Sequence, residues 1–115
     1  MTVFMETALR RAKMLWEWRT WVQRIAKVAR ELLPDAQVYV IGSTVRGDNV
    51  GGSDVDILIV SREIPGKAIE RAEIKAIIEE KLGLPPYHPF EIHLLTPREA
   101  EPYLRRAKQH VLKIM

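Results

Sequence analysis

The sequence predicts an α/β (α+β) fold in which a small, mixed, three-stranded sheet packs against helices. Apolar residues first recur at three- and four-residue steps, which is the period of a helix with one buried face. Short runs rich in isoleucine and valine follow, with glycine or proline near their ends, as in strands bounded by turns. The element order is helix, strand, strand, helix, strand, helix, and no linker-like segment interrupts it. We therefore expect one domain over residues 1–115.

The first element is a predicted helix from about residue 6 to residue 33, which Pro34 ends. Its core face is expected to carry the apolar residues Met14, Trp18, Val22, Ile25, Ala29 and Leu32. A second apolar stripe lies on the opposite side and consists of Met5, Leu9, Ala12 and Trp16. A solvated face should not carry such a stripe, so we expect it to dock a partner protein or a second copy of the chain. The alternative is that the helix breaks early and its N-terminal part folds back on the domain.

Two predicted strands follow the first helix. Residues 38–41 form a short apolar run that ends at Gly42. Residues 54–60 form a second run with isoleucine and valine at its centre and no helix breaker within it. Aspartate is a poor strand former, so the presence of Asp56 inside this apolar run requires a reason.

The remaining predicted elements are a helix, a strand and a final helix. The helix covers residues 67–82 and ends at Gly83, and the strand covers residues 90–95. The segment Thr96-Pro97-Arg98-Glu99 has the form of a capping box with proline at the first helical position. Pro102 is expected to end that short turn and to start the final helix, which runs to near residue 110.

Composition and charge narrow the class of protein. The 115 residues are 47% hydrophobic and 29% charged, which is ordinary for a globular protein. Cysteine is absent, so disulfides and thiolate zinc sites are excluded. Neither a signal peptide nor an apolar run long enough to span a bilayer is visible, so we expect a cytoplasmic protein without a membrane partner. The net charge of +3, with basic residues concentrated towards both ends, suits an anionic ligand or simply solvated helix faces.

Three carboxylates are the candidate metal ligands. Asp54 and Asp56 are two residues apart on a strand and project from the same face, and Glu91 near the start of the next strand can lie beside them. Three ionised carboxylates repel one another, so their ionised forms are disfavoured unless a cation lies between them. Hard oxygen ligands of this kind suit Mg²⁺ or Mn²⁺. The alternative is that Asp54 caps a turn and Asp56 faces solvent on an edge strand.

Gly42 and Ser43 add a candidate phosphate site directly after the first strand. A residue without a Cβ lets the backbone approach a ligand closely. Ser43 would begin a short helical turn, whose free N–H groups and hydroxyl hold phosphate oxygens. Together with Asp-x-Asp on the following strand, this turn is typical of a site for a nucleoside triphosphate and a metal.

The spacing of these residues resembles a known family. Gly42-Ser43, ten intervening residues and Asp54-Val55-Asp56 are similar to the G-S-x10-D-x-D signature of minimal nucleotidyltransferases in the DNA-polymerase-β-like superfamily. Arg46-Gly47 and Ser53 also stand where that family has similar residues. The resemblance covers about residues 38–95. It implies a polymerase-β-like nucleotidyltransferase core.

The resemblance also implies roles for these residues. Asp54, Asp56 and Glu91 would ligate two Mg²⁺ ions, with Mn²⁺ as the alternative. The third carboxylate of the superfamily is usually aspartate, and glutamate stands there in this chain. The nucleoside triphosphate would be bound by Gly42, Ser43, Arg46 and Ser53. His93 shares the strand face with Glu91 and is expected to be partly buried, with a hydrogen bond to a metal ligand as the alternative.

The function implied by the resemblance is transfer of a nucleoside monophosphate to a hydroxyl acceptor. AMP, donated by ATP, is the preferred nucleotide. In the HEPN/MNT type of toxin–antitoxin system the acceptor is a tyrosine of a HEPN toxin, and the minimal nucleotidyltransferase is the antitoxin. Larger superfamily members carry a C-terminal domain, so a partner protein is expected to complete the site here. The alternatives are a non-catalytic antitoxin that binds its partner, and a transferase acting on a small molecule. Nucleic-acid binding is the least favoured function, because the net charge is the single feature that supports it.

Overall fold

A computed structural model describes residues 2–47 and 54–115 of the chain. The elements of this part are α1 (Val3–Trp16), α2 (Trp18–Leu32), β1 (Gln37–Ile41), α3 (Ser43–Arg46), β2 (Val55–Val60), α4 (Ala68–Lys81), β3 (Phe90–Leu95), α5 (Pro97–Ala107) and β4 (Val111–Lys113). Ser53, predicted as a nucleotide-binding residue, lies outside the described residues. None of the described helices combines the length and apolar character needed to cross a membrane.

The strands form one mixed sheet in the order β3-β2-β1-β4. β2 and β3 are parallel, whereas β1 is antiparallel to both β2 and β4. The predicted α/β fold with a mixed sheet is confirmed, but the sheet has four strands in the described residues and not three. The additional strand, β4, is only three residues long, too short for a recognisable alternation of apolar and polar residues. It covers the free edge of β1, whose N–H and C=O groups would otherwise be unpaired.

The two sheet faces carry two separate apolar clusters. Alternate strand residues such as Val40, Ile57 and Ile92 are buried in the main core together with residues of α2 and α4. On the other face, Leu58 and Leu95 pack with residues of α5. In the described part of the chain, α5 is the single helix that packs on this second face.

The predicted first helix is two helices, broken at Glu17. The backbone of Glu17 leaves the helical region, with φ −95° and ψ 24°, yet its N–H donates to the Lys13 carbonyl at 3.0 Å. Its own carbonyl accepts from Thr20 N–H at 3.1 Å, so the break costs few hydrogen bonds. No glycine or proline marks the position, which is why periodicity alone did not locate it.

The second apolar stripe remains on the surface despite this break. Met5, Leu9 and Trp16 are 51%, 55% and 88% exposed. On the opposite side of α1, Met14 and Leu15 are buried in the main core. The early break of the helix is therefore observed, but it does not bury the stripe.

The final helix differs from the prediction at Pro102, which lies inside α5 and does not start it. The capping box at Thr96 and Glu99 is present, with both reciprocal hydrogen bonds. Ala100 is buried against the sheet. The cap and this packing stabilise the helix, although Pro102 has no backbone N–H and removes one helical hydrogen bond.

The Glu99 carboxylate makes α5 sensitive to pH. The backbone N–H of Thr96 and then the guanidinium of Arg71 lower the pKa of Glu99 below its usual value. Stability that arises from a lowered carboxyl pKa is present above the unfolded pKa, about 4.3. It is lost as the pH falls through the lower folded value. We expect Glu99→Gln to reduce the free energy of unfolding by about 0.5–1 kcal/mol near pH 7 and by less in acid.

Urea unfolding of the two proteins near pH 7 and near pH 3 measures this difference. Glu101→Gln is the matched control, because Glu101 pairs with Arg105 on the same helix and both side chains are about 70% exposed. A loss of stability that is equal at both pH values would contradict the assignment.

Candidate active site

The candidate site begins with the register between the two parallel strands. Asp56 on β2 is the direct partner of Glu91 on β3, and Leu58 is the partner of His93. Because side chains alternate between faces, Asp56, Glu91 and His93 all lie on the face that α5 partly covers. The sheet therefore brings together one aspartate, one glutamate and one histidine from neighbouring strands.

The side chains of this cluster converge at short distances. His93 Nε2 lies 3.4 Å from Asp56 Oδ1 and 3.8 Å from Glu91 Oε1. One ligand atom from each of the three residues lies within 4.8 Å of the others. The prediction that His93 is partly buried holds, since its side chain is 23% exposed. The alternative, a hydrogen bond from His93 to a predicted metal ligand, is also present, since His93 Nε2 contacts Asp56 Oδ1.

Helix α5 holds the histidine on its other side. The His93 ring packs against Tyr103 with ring centroids 5.6 Å apart. The guanidinium of Arg106 lies 5.3 Å from the Tyr103 ring centre. These contacts restrict the imidazole, whose Nε2 is left on the side of the carboxylates, and they put a basic residue of α5 near the cluster.

The Gly42–Ser43 turn lies at the same end of the sheet. Ile41, the last residue of β1, is the partner of Asp56, so Gly42 follows directly beside the cluster. Gly42 has φ 85° and ψ −144°, a conformation that side chains with a Cβ rarely adopt. A Cβ there would lie 3.8 Å from Asp56 Oδ2, which is ordinary contact, so the backbone conformation is what requires glycine.

Asp54 lies apart from the three-residue cluster and pairs with another element. The guanidinium of Arg11, on α1, donates to Asp54 Oδ1 at 2.6 Å. Sequence reasoning missed Arg11, which is 43 residues away in the chain and belongs to no motif. Arg46, the predicted phosphate-binding cation, is exposed at the end of α3.

A cavity lies between α1 and the α3 turn. It has a volume of about 470 Å³ and is lined by Ala12, Leu15, Trp16, Trp18, Arg19, Thr44 and Gly47. Thr44 is buried, and its hydroxyl has no hydrogen-bond partner among the residues that the structure describes. The cavity connects the exposed Trp16 of the apolar stripe with the α3 turn that follows Gly42.

The donor set of the cluster fits a divalent cation. Carboxylate oxygens are the ligands that Mg²⁺ and Mn²⁺ prefer, whereas an imidazole nitrogen suits transition metals such as Zn²⁺ and Fe²⁺. Two carboxylates and one imidazole from two rigid strands supply both kinds of ligand atom within reach of one ion. The residues present are therefore compatible with the predicted metal.

Comparison with known proteins gives the family. The model of the nucleotidyltransferase domain family matches residues 22–111. A crystal structure described as a putative nucleotidyltransferase is 30% identical, with a TM-score of 0.60, over 79% of this chain and 94% of that chain. A putative nucleotidyltransferase from Sulfolobus solfataricus is 21% identical, with a TM-score of 0.58, over 95% and 83% of the two chains.

A third similar structure is a complex of tri-AMPylated Shewanella oneidensis HEPN toxin with MNT antitoxin. The matching chain is 19% identical, with a TM-score of 0.52, over 84% of this chain and 71% of that chain, which shows a shared fold. No functionally curated protein matches the chain. The family model covers most of the described strands and helices, including β1, the Gly42–Ser43 turn, β2 and β3. The chain belongs to the nucleotidyltransferase domain family.

Proposed function

We propose that this protein transfers AMP from ATP to a hydroxyl of a HEPN-type toxin and thereby acts as an antitoxin. The observation that carries the proposal is the Asp56–Glu91–His93 cluster beside the Gly42–Ser43 turn, in a chain of the nucleotidyltransferase family. The Shewanella oneidensis complex supports the choice of acceptor, because it pairs an AMPylated HEPN toxin with an MNT antitoxin.

In this proposal Asp54, Asp56 and Glu91 hold two Mg²⁺ ions, with Mn²⁺ as the alternative. Bound cations supply neutralisation of the charge that develops on the triphosphate. The Gly42 backbone and the Ser43 hydroxyl bind the triphosphate, and Arg46 and Ser53 add polar contacts. His93 keeps Asp56 oriented through its Nε2 contact.

The transfer itself makes one bond and breaks one. The acceptor oxygen attacks the α-phosphorus of ATP, and the bond from that phosphorus to the bridging oxygen of pyrophosphate breaks. The proton of the acceptor hydroxyl passes to the Glu91 carboxylate, which is half exposed and so can release it to solvent. The products are an AMP ester of the acceptor and pyrophosphate.

The apolar stripe of α1 is the proposed docking surface for the acceptor protein, with a second copy of the chain as the alternative. Met5, Leu9 and Trp16 are exposed along one side of this helix. Ala12 and Trp16 of the stripe also line the cavity that reaches Thr44 and Gly47. A protein bound to the stripe is therefore adjacent to the turn that we assign to the triphosphate.

The nucleotide site is tested by ATP binding. We expect the wild type to bind ATP in a Mg²⁺-dependent manner, and Asp56→Asn to weaken that binding at least about tenfold, because a ligand of the cation is lost. Isothermal titration with and without Mg²⁺ measures both. Glu73→Gln is the control, since Glu73 is an exposed acid on α4, which packs on the other sheet face. A folded wild type that binds no ATP in Mg²⁺, either alone or in the presence of a HEPN toxin, would remove the basis of the proposal.

The acceptor is tested by mass spectrometry. After incubation with ATP, Mg²⁺ and a HEPN toxin, we expect AMP adducts on the toxin and loss of its toxicity. The double variant Asp54→Ala/Asp56→Ala should abolish both, because the proposed metal ligands are gone. If the double variant still neutralises the toxin, the antitoxin acts by contact alone and the transferase proposal fails.

The docking surface is tested by Trp16→Glu. We expect the affinity for the toxin to fall at least about tenfold, since a charge replaces the largest aromatic residue of the proposed contact. The thermal unfolding temperature should stay nearly unchanged, because Trp16 is 88% exposed. Ile69→Glu on α4, also at an exposed apolar residue, is the matched control. Light scattering of the free protein distinguishes a second copy of the chain as the occupant of the stripe.

A further inference from the structure

Arg11 reaches the candidate site from a helix outside the segment that the family model matches. The match begins at residue 22, whereas α1 ends at Trp16. The Arg11 guanidinium nevertheless lies 2.6 Å from Asp54 Oδ1, and its side chain is 22% exposed. An arginine on the first residue of the Asp-x-Asp pair occupies an oxygen that a metal ligand would offer to a cation.

We propose that Arg11 is a phosphate-binding residue of the nucleotide site. In the free protein it holds Asp54, and when a divalent cation and ATP bind, it moves from the carboxylate to a phosphate oxygen of ATP. This inference rests on the proposed function, because it requires a nucleoside triphosphate beside Asp54.

The position of Arg11 is fixed by the packing of α1. Met14 and Leu15, three and four residues further along, are buried in the main core. They anchor the side of α1 from which Arg11 extends. The neighbouring Arg10 is directed elsewhere and lines a second cavity together with Tyr87 and Trp21. Of these two adjacent arginines, one therefore faces the site and the other does not, which supplies a matched control.

The chemistry of the guanidinium supports an exchange of partners. Its planar set of N–H donors fits a phosphate as well as a carboxylate, and it stays charged at any physiological pH. A divalent cation that binds Asp54 competes with Arg11 for Oδ1, so Arg11 opposes binding of the cation alone. A nucleotide that arrives with the cation offers Arg11 a new anionic partner, so Arg11 favours binding of the two together.

The experiment measures the binding of two probes, Mn²⁺ alone and ATP with Mg²⁺, because Arg11 should weaken the first and strengthen the second. For Arg11→Ala we expect Mn²⁺ alone to bind about two- to fivefold more tightly, the range expected for loss of one exposed ion pair. ATP in saturating Mg²⁺ should bind about tenfold more weakly, because a charge-assisted contact to phosphate is lost. Isothermal titration measures both, and Arg10→Ala should change neither more than about twofold.

Arg11→Lys separates charge from geometry. It keeps the positive charge but not the planar donor set, so its affinity for ATP should fall between those of the wild type and Arg11→Ala. Unchanged affinity of Arg11→Ala for either probe, or a shift of both in the same direction, would overturn the inference. If the wild type binds no ATP either alone or with a HEPN toxin present, the proposed function fails with it. If the wild type binds ATP and Arg11→Ala binds it equally well, only the role of Arg11 is lost.

Discussion

The parallel pairing of β2 with β3 is the constraint on which the candidate site depends. β2 lies between β1 and β3, and alternate residues such as Ile57 and Ile59 are fully buried in the main core. In this register Asp56 faces the α5 side of the sheet directly opposite Glu91. A slip of one residue would bring a β3 carboxylate into the main core, so the burial of apolar side chains on one face fixes the carboxylates on the other.

Placing carboxylates side by side costs free energy, and the described residues offset that cost with nitrogen donors from other elements. His93 lies beside Asp56 and Glu91, and Arg11 holds Asp54. These partners come from β3 and α1, which are far apart in the chain. A cation bound by the carboxylates would relieve the same repulsion, so the protein contacts stabilise the free state without using a permanent buried charge pair.

The sequence predicted the parts of the fold that local chemistry determines. Short apolar runs located β1, β2 and β3, and the Thr96–Glu99 pattern located the start of α5. The spacing from Gly42 to Asp54 indicated the family, which the family model confirms. The position of the helix break at Glu17 and the strand β4 were not predictable, because each depends on tertiary contacts and not on a local signal. The same holds for the contact of Arg11 with Asp54, since no pattern within α1 distinguishes Arg11 from Arg10.

Helix α1 links the two proposed activities of the molecule. One side of it is anchored by Met14 and Leu15 and carries Arg11 to Asp54, while the opposite side exposes Met5, Leu9 and Trp16. A protein that docks on the exposed side restricts the same helix that supplies Arg11. If nucleotide binding shifts α1 and thereby changes the affinity for the docked protein, then docking must change the affinity for the nucleotide by the same factor. We therefore expect binding of the acceptor and binding of the nucleotide to be coupled through α1, a helix that lies outside the segment matched by the family model.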